Sequence, residues 1–301
     1  MTTSLPRRAE IDSFFTCQHP EQFRIDWRAF YERAEARTDA VRTRWQHELD
    51  LAYGPSQRHR LDLYLPRGID AGAGPMGTAS WPLLLFLHGG GFREGDPALY
   101  GYLAEPYLER GVAFAAVGYR LTPEAYLPET YEDLEDALGW SVRNLPGRGI
   151  DAERLVLSGH SAGAILVAQL AVRDDWQASR SVPLDVIKAA VPVSGVYDFS
   201  DPTDRREFFS NGSDRVKASP LLQVSARPQP MLVAYGSEES GPAYGVDSRR
   251  LVEAARARGG QAEVLELEGL NHADTADALG DPSSPLFAGV LDLLSALGHP
   301  S

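Results

Sequence analysis

A serine hydroxyl becomes a nucleophile when a base takes its proton, an acid orients that base, and backbone donors receive the charge that develops. The chain carries residues for each part. Gly159-His160-Ser161-Ala162-Gly163 is its one G-x-S-x-G, set between the apolar run 155–157 and the helix-forming run 164–171. In a strand-turn-helix context the flanking glycines let the backbone turn sharply and strain the serine, so that its hydroxyl stands at the sheet edge. His88-Gly89-Gly90-Gly91-Phe92 follows a second apolar run, 83–87. Glycines there let N–H groups approach a developing oxyanion, each donor contributing about 3 kcal/mol in the transition state. A phosphate loop of the Walker kind would need Lys and Ser/Thr after the glycines, whereas Phe92-Arg93-Glu94 follow. His88 reads as a structural residue packed beneath the loop.

With a serine in the strand-to-helix turn, the acid and then the histidine are expected further along the chain. Of seven histidines, His19, His47, His59 and His88 precede the serine, His160 is locked in the turn, and His299 lies next to the end. His272 remains, after the run 262–267. The acid is expected in Gly236-Ser237-Glu238-Glu239-Ser240, after the run 231–235, where Glu239 is preferred and Glu238 and Asp247 stay open. Asp247 has a competing role as N-cap of a helix beginning at Ser248. Phe92 and Phe199, with Phe14 and Phe15, are apolar residues beside these loops or in the N-terminal segment, and are expected to line a substrate pocket.

The elements that must position these residues follow from periodicity. Residues 20–45 place Phe23, Trp27, Phe30 and Tyr31 at helical spacing. Residues 60–66 alternate, Leu61, Leu63 and Leu65 against Asp62 and Tyr64, the period of a half-buried strand that pairs with 48–53 through Gly54-Pro55. Residues 68–80 are rich in Gly and small side chains and read as a surface loop. Strands at 83–87, 112–117 and 154–157 then alternate with helices at 98–110, 129–145 and 161–172. Strands at 186–193, 231–235 and 262–267 follow, with helices near 248–258 and 285–297. Alternation of this kind builds a mostly parallel sheet of about eight strands with helices on both faces. In the helix at 129–145, Glu132, Asp133, Glu135 and Asp136 are expected to face solvent. The expected organisation is one α/β domain, with residues 1–47 as a short helical cap and 48–301 as the catalytic part.

Charge narrows the partners. Twenty-nine Lys and Arg stand against 42 Asp and Glu, a net of −13, which repels phosphate backbones and anionic lipid. No nucleic acid and no membrane insertion are expected. Cys17 is the one cysteine, so an internal disulfide is excluded. Arg7, Arg8, Glu10 and Asp12 interrupt the apolar stretch an export signal would need, which points to a cytoplasmic protein. The expected partner is a small ester or amide, no cofactor or metal is implied, and the sequence allows a homodimer.

His-Gly-Gly-Gly at 88–91, Gly-Tyr-Arg-Leu-Thr-Pro-Glu at 118–124 and Gly-His-Ser-Ala-Gly at 159–163 together resemble α/β-hydrolase esterases of the hormone-sensitive-lipase and arylformamidase (kynurenine formamidase) type. The segments 53–66, 236–240, 271–272 and 281–286 resemble the arylformamidase branch more closely, and the likeness runs from about 48 to 297. The resemblance implies a Ser161, Glu239, His272 triad, with the N–H groups of Gly90, Gly91 and Ala162 as oxyanion hole. It implies acyl transfer through a covalent acyl-enzyme, a carboxylesterase reaction first and N-formylkynurenine hydrolysis second. The chain departs from arylformamidases in Gly91-Phe92, where an aromatic pair is usual, and in offering Glu rather than Asp as acid.

Overall fold

The computed structural model describes residues 25–67, 80–203 and 205–297. Phe14, Phe15, the start of the expected N-terminal helix and positions 68–79 of the expected loop lie outside them. The strands are β1 (Gln46–Ala52), β2 (Arg60–Leu65), β3 (Trp81–Leu87), β4 (Ala113–Val117), β5 (Ile150–His160), β6 (Ile187–Val193), β7 (Met231–Gly236) and β8 (Ala262–Leu267). The helices are α1 (Trp27–Arg44), α2 (Glu105–Leu108), α3 (Thr130–Asn144), α4 (Ala162–Val172), α5 (Ala243–Ala257), α6 (His272–Ala278) and α7 (Pro285–Ala296). One sheet runs β1-β2-β4-β3-β5-β6-β7-β8. β2 is antiparallel to β1 and β4, and the pairs from β4 to β8 are parallel.

Side chains of a strand alternate between faces, and here each face meets its own helices. Leu83, Leu85 and Leu87 join Leu134 and Leu138 of α3, Leu166 of α4 and Leu251 of α5 in one core. Leu84 and Phe86 join Phe30 and Val41 of α1 and Phe287 and Val290 of α7 in the other. α4 is apolar all round, and its residues from Ala162 to Val172 are all buried, as a helix between a sheet and further structure must be. Among the described residues no helix is long and apolar enough to cross a membrane.

Four local expectations are corrected. β2 is buried on both faces: Tyr64 and Asp62 are 0% and 3% exposed, because Arg42 of α1 donates to both at 3.3 and 3.2 Å. The expected helix at 98–110 is broken into 3-10 turns at Pro97–Leu99 and Gly101–Leu103 followed by the single turn α2. Proline at 97 and 106 interrupts the ladder, and Gly101 packs so tightly that an added Cβ would lie 2.8 Å from Cγ2 of Thr38. α5 begins at Ala243, so Asp247 is inside the helix rather than its N-cap; its carboxylate instead accepts the N–H groups of Tyr197 and Asp198 at 2.8 and 3.2 Å. Finally, the acidic run of α3 is only partly solvated. Asp133 is 1% exposed and Glu135 6%, Glu135 pairing with Arg173 and Arg180 at 3.6 and 3.2 Å.

Asp133 ties α3 to the strand ends. It accepts from the Arg120 guanidinium at 2.6 Å and faces His59 Nε2 at 3.3 Å. Burial alone would raise its pKa, but the facing His59 and the hydrogen bonds from Arg120 outweigh it and hold the carboxyl below its usual range. Asp133→Ala is expected to cost about 3 kcal/mol by leaving Arg120 and His59 without their anion, measured by urea unfolding near neutral pH. A depressed folded-state pKa contributes stability above the unfolded value and loses it on acidification, so the gap between wild type and variant closes below about pH 4.

Candidate active site

β5 ends at His160 and α4 begins at Ala162, leaving Ser161 alone between them at φ 55° and ψ −116°. That region is disfavoured for any residue with a Cβ. Hydrogen bonds hold it: the Ser161 N–H donates to the Val193 carbonyl of β6 at 2.8 Å, and its own carbonyl accepts from Ala164 at 3.0 Å. Glycine permits the turn by close approach. A Cβ on Gly159 would lie 2.6 Å from the carbonyl carbon of Gly163, and one on Gly163 would lie 2.6 Å from that of Leu87.

His272 is the first residue of α6 rather than part of an open loop. Asn271 caps that helix, accepting from Ala273 and Asp274 at 2.9 and 3.1 Å while Asp274 accepts from the Asn271 N–H at 3.3 Å. Asn-x-x-Asp is a capping-box spacing, the local signal by which this helix start is readable. The loop after β7 is tied to the one after β8, since Ser237 and Glu238 donate to the carbonyls of Leu267 and Leu270 at 3.0 and 3.1 Å. Glu239 therefore turns inward while Glu238 stays exposed.

The three side chains meet. His272 Nε2 is 2.9 Å from Ser161 Oγ, and His272 Nδ1 is 2.8 Å from Glu239 Oε2. A carboxylate only accepts, so in the neutral ring Nδ1 carries the proton and Nε2 is left to accept from the serine. Burial by itself raises the Glu239 pKa; the facing His272, its hydrogen bond and one from Ser194 outweigh that and hold the carboxyl below its usual range. Ser194, at φ 57° just beyond β6, also reaches Thr275 Oγ1 at 2.8 Å. Thr275 donates to the His272 carbonyl at 2.9 Å. His160 Nε2 donates to the same carbonyl at 2.8 Å, and burial, followed by the neighbouring His272, pushes its pKa down to about 3. Neutral His160, Thr275 and Ser194 thus brace the His272 backbone and the Glu239 carboxylate. Periodicity cannot find them, because what joins them is contact between the ends of β5 and β6 and the first turn of α6.

Gly90 and Gly91 line the same cleft as Ser161 and His272. Ala162 opens α4, so its N–H has no partner within the helix. His88 lies under the glycine loop, 1% exposed, its ring stacked on Tyr119 at 4.5 Å; burial pushes its pKa down to about 4. The cleft wall is aromatic, with Trp27, Phe30 and Tyr31 of α1 facing Tyr100, Phe208 and Tyr244. Trp27 and Tyr244 stand 6.3 and 5.1 Å from the His272 ring. Phe92 and Phe199 are not on this wall. Both are buried behind Phe208, with ring centroids 5.0 and 6.1 Å from it.

Residues 84–219, from β3 to the segment before β7, match a family model described as alpha/beta hydrolase fold. The chain has the α/β-hydrolase fold. It is 29% identical over 84% of its length to esterase LipC of Mycobacterium tuberculosis, covering 66% of that protein. It is 26% identical over 81% of its length to tuliposide A-converting enzyme 2 of Tulipa gesneriana, covering 69% of it. Kynurenine formamidase of Danio rerio is 25% identical, with 84% of each chain covered. Among solved structures, a Silicibacter sp. tm1040 protein named as a candidate thioesterase superposes with TM-score 0.69 at 27% identity, over 88% of this chain and 94% of that one. Esterase B of Lactobacillus rhamnosis shares the fold at TM-score 0.68 and 21% identity, over 90% and 92% of the two chains. The likeness to esterases and formamidases of the hormone-sensitive-lipase and arylformamidase type is thereby shown.

Gly163→Ala would press a methyl group onto the β3 backbone. It is expected to lower stability by about 1–3 kcal/mol, read as a fall in Tm of several degrees by calorimetry.

Proposed function

We propose that the chain hydrolyses carboxylic esters through an acyl-enzyme, with Ser161 as nucleophile, His272 as general base and Glu239 as the orienting acid. The observation that carries this reading is the continuous path from Ser161 Oγ through His272 to Glu239, at 2.9 and 2.8 Å. Ser161 Oγ adds to the ester carbonyl as His272 Nε2 takes its proton. The carbonyl oxygen, now negative, accepts from the N–H groups of Gly90, Gly91 and Ala162. Collapse of the tetrahedral adduct expels the alcohol, which receives the proton from His272; water then repeats the sequence on the acyl-enzyme. Glu239 accepts the hydrogen bond from His272 Nδ1–H throughout, without taking that proton, and stabilises the imidazolium as it forms. The six aromatic rings of the wall favour an aryl or otherwise apolar group beside the reacting carbonyl.

A second reading, N-formylkynurenine hydrolysis, is favoured by the even coverage of the Danio rerio kynurenine formamidase. The same three residues would serve it, the bond cleaved being an aryl formamide. We also propose that residues 1–47 act as a cap over a catalytic part formed by 48–301, because Trp27 and Tyr31 of α1 stand on the cleft wall.

Turnover of para-nitrophenyl acetate, butyrate and octanoate, with N-formylkynurenine in parallel, tests the reading. Ser161→Ala is expected to lower kcat by about 10³–10⁶-fold and Glu239→Gln by about 10⁴-fold. Ester turnover surviving in Ser161→Ala would sink the reading, and faster turnover of the formamide would put the second reading first. Trp27→Ala is expected to raise KM more than it lowers kcat; unchanged constants would remove α1 from the pocket.

A further inference from the structure

The glycine loop carries an acidic residue that the hydrolysis above does not use. Gly90, Gly91 and Phe92 lie at φ 119°, 59° and 59°. The Gly90 carbonyl accepts from both Arg93 and Glu94, at 3.0 and 3.1 Å, so residues 90–94 form one closed turn. Glu94 leaves this turn alongside Gly90, where an added Cβ would lie 2.9 Å from its Cγ. Glu94 is 4% exposed. Its Oε1 accepts from the Tyr31 hydroxyl of α1 at 3.0 Å, while Oε2 is buried without a hydrogen-bond partner among the described residues. Burial pushes this carboxyl up to about 8 against a smaller lowering by the Tyr31 hydrogen bond.

The titratable groups facing it are phenols. Tyr31 comes from α1 and Tyr100 from the segment before α2, and burial holds both neutral by raising their pKa values. His88, beneath Gly95 of the same loop, is also kept neutral by burial. Arg58 reaches the neighbouring Gly95 carbonyl at 3.5 Å but does not offset the burial of Glu94. A carboxylate here would be a buried anion with a phenol as its one hydrogen-bond donor, which strongly favours the acid form.

Resting on the serine-hydrolase reading, we propose that Glu94 is a positioning residue for the oxyanion hole. As a neutral acid it joins α1 to the glycine loop through Tyr31. As a carboxylate it sets a negative charge beside Gly90 and opposes the oxyanion that the Gly90 and Gly91 N–H groups would bind. A like charge buried on the loop that carries these donors raises the barrier to the tetrahedral adduct. Ionisation of Glu94 therefore lowers kcat on the alkaline side while the Ser161, His272 and Glu239 path stays in place.

The test is kcat and KM for para-nitrophenyl butyrate from about pH 6 to about pH 10, corrected for spontaneous hydrolysis, in wild type, Glu94→Gln and Tyr31→Phe. Wild-type kcat is expected to fall about tenfold per pH unit above about 8. Glu94→Gln, a fixed mimic of the neutral acid, is expected to lose this limb whatever the height of its profile. Tyr31→Phe removes a hydrogen bond that favours the carboxylate, so its limb moves to higher pH. An alkaline limb unchanged in Glu94→Gln overturns the proposal. Infrared difference spectra across the same range read the group directly: wild type loses a protonated-carboxyl C=O band that Glu94→Gln lacks, and absence of that band in wild type also overturns it. A wild type that hydrolyses no ester strikes the serine-hydrolase reading, and the infrared band then decides the state of Glu94 by itself.

Discussion

A helix can start directly behind a strand only where the two backbones meet without a side chain between them. That constraint, met by Gly159 and Gly163, orders the rest of the site. Because the turn is so short, the Ser161 N–H leaves both strand and helix and binds the Val193 carbonyl, which fixes where β6 must end. Ser194, the next residue, is driven to φ 57° and presents its hydroxyl to Glu239 and Thr275. One tight turn thus sets a strained serine and, one strand away, a donor for the acid.

The parallel register carries this along the sheet edge. Gly159 stands opposite Leu87 on one side, and His160 opposite Val193 on the other. Gly236 pairs with Leu267 further along. The residues just beyond these positions belong to the glycine loop, the serine turn, the acid loop and the segment leading into α6. They converge because parallel strands in near-level register deliver their following loops to the same edge. Rigid strands set the distances, and the loops are then tied to each other, as Glu238 is to Leu270.

Much of this is legible in the sequence. The central strands are readable because a buried parallel strand is a short run of apolar residues between turn signals, and β3, β4, β6 and β7 fall on such runs, whereas β1 and β2 are readable by their alternation. Ser161 is readable because its glycines have one steric purpose in a strand-turn-helix setting, and His272 because chain order leaves few candidates. The acid is less so: Glu238, Glu239 and Asp247 are equivalent in sequence. They separate in space, Glu238 to solvent and Asp247 to the N–H groups of Tyr197 and Asp198. The pocket wall is hidden for a related reason. Phe92 and Phe199 adjoin the right loops but point into the core, whereas Trp27 and Tyr31 come from a helix whose destination depends on which sheet face it covers. The acidic run of α3 misleads because amphipathicity counts charges as exposed, while Asp133 and Glu135 are buried with arginines that come from other segments.

Two buried carboxyls near one cleft show how environment decides chemistry where residue type does not. Glu239 and Glu94 are the same side chain, and burial raises the pKa of both. Around Glu239 an imidazole and a hydroxyl add enough favourable interaction with the anion to hold it below the usual range. Around Glu94 a phenol is the one hydrogen-bond donor, too weak to offset desolvation. An ionised carboxylate behind a histidine stabilises positive charge on that ring; an ionised carboxylate beside glycine N–H groups would compete with the negative oxygen they receive. The opposed surroundings therefore match the opposed signs of charge that acyl transfer by Ser161 would develop at the two places.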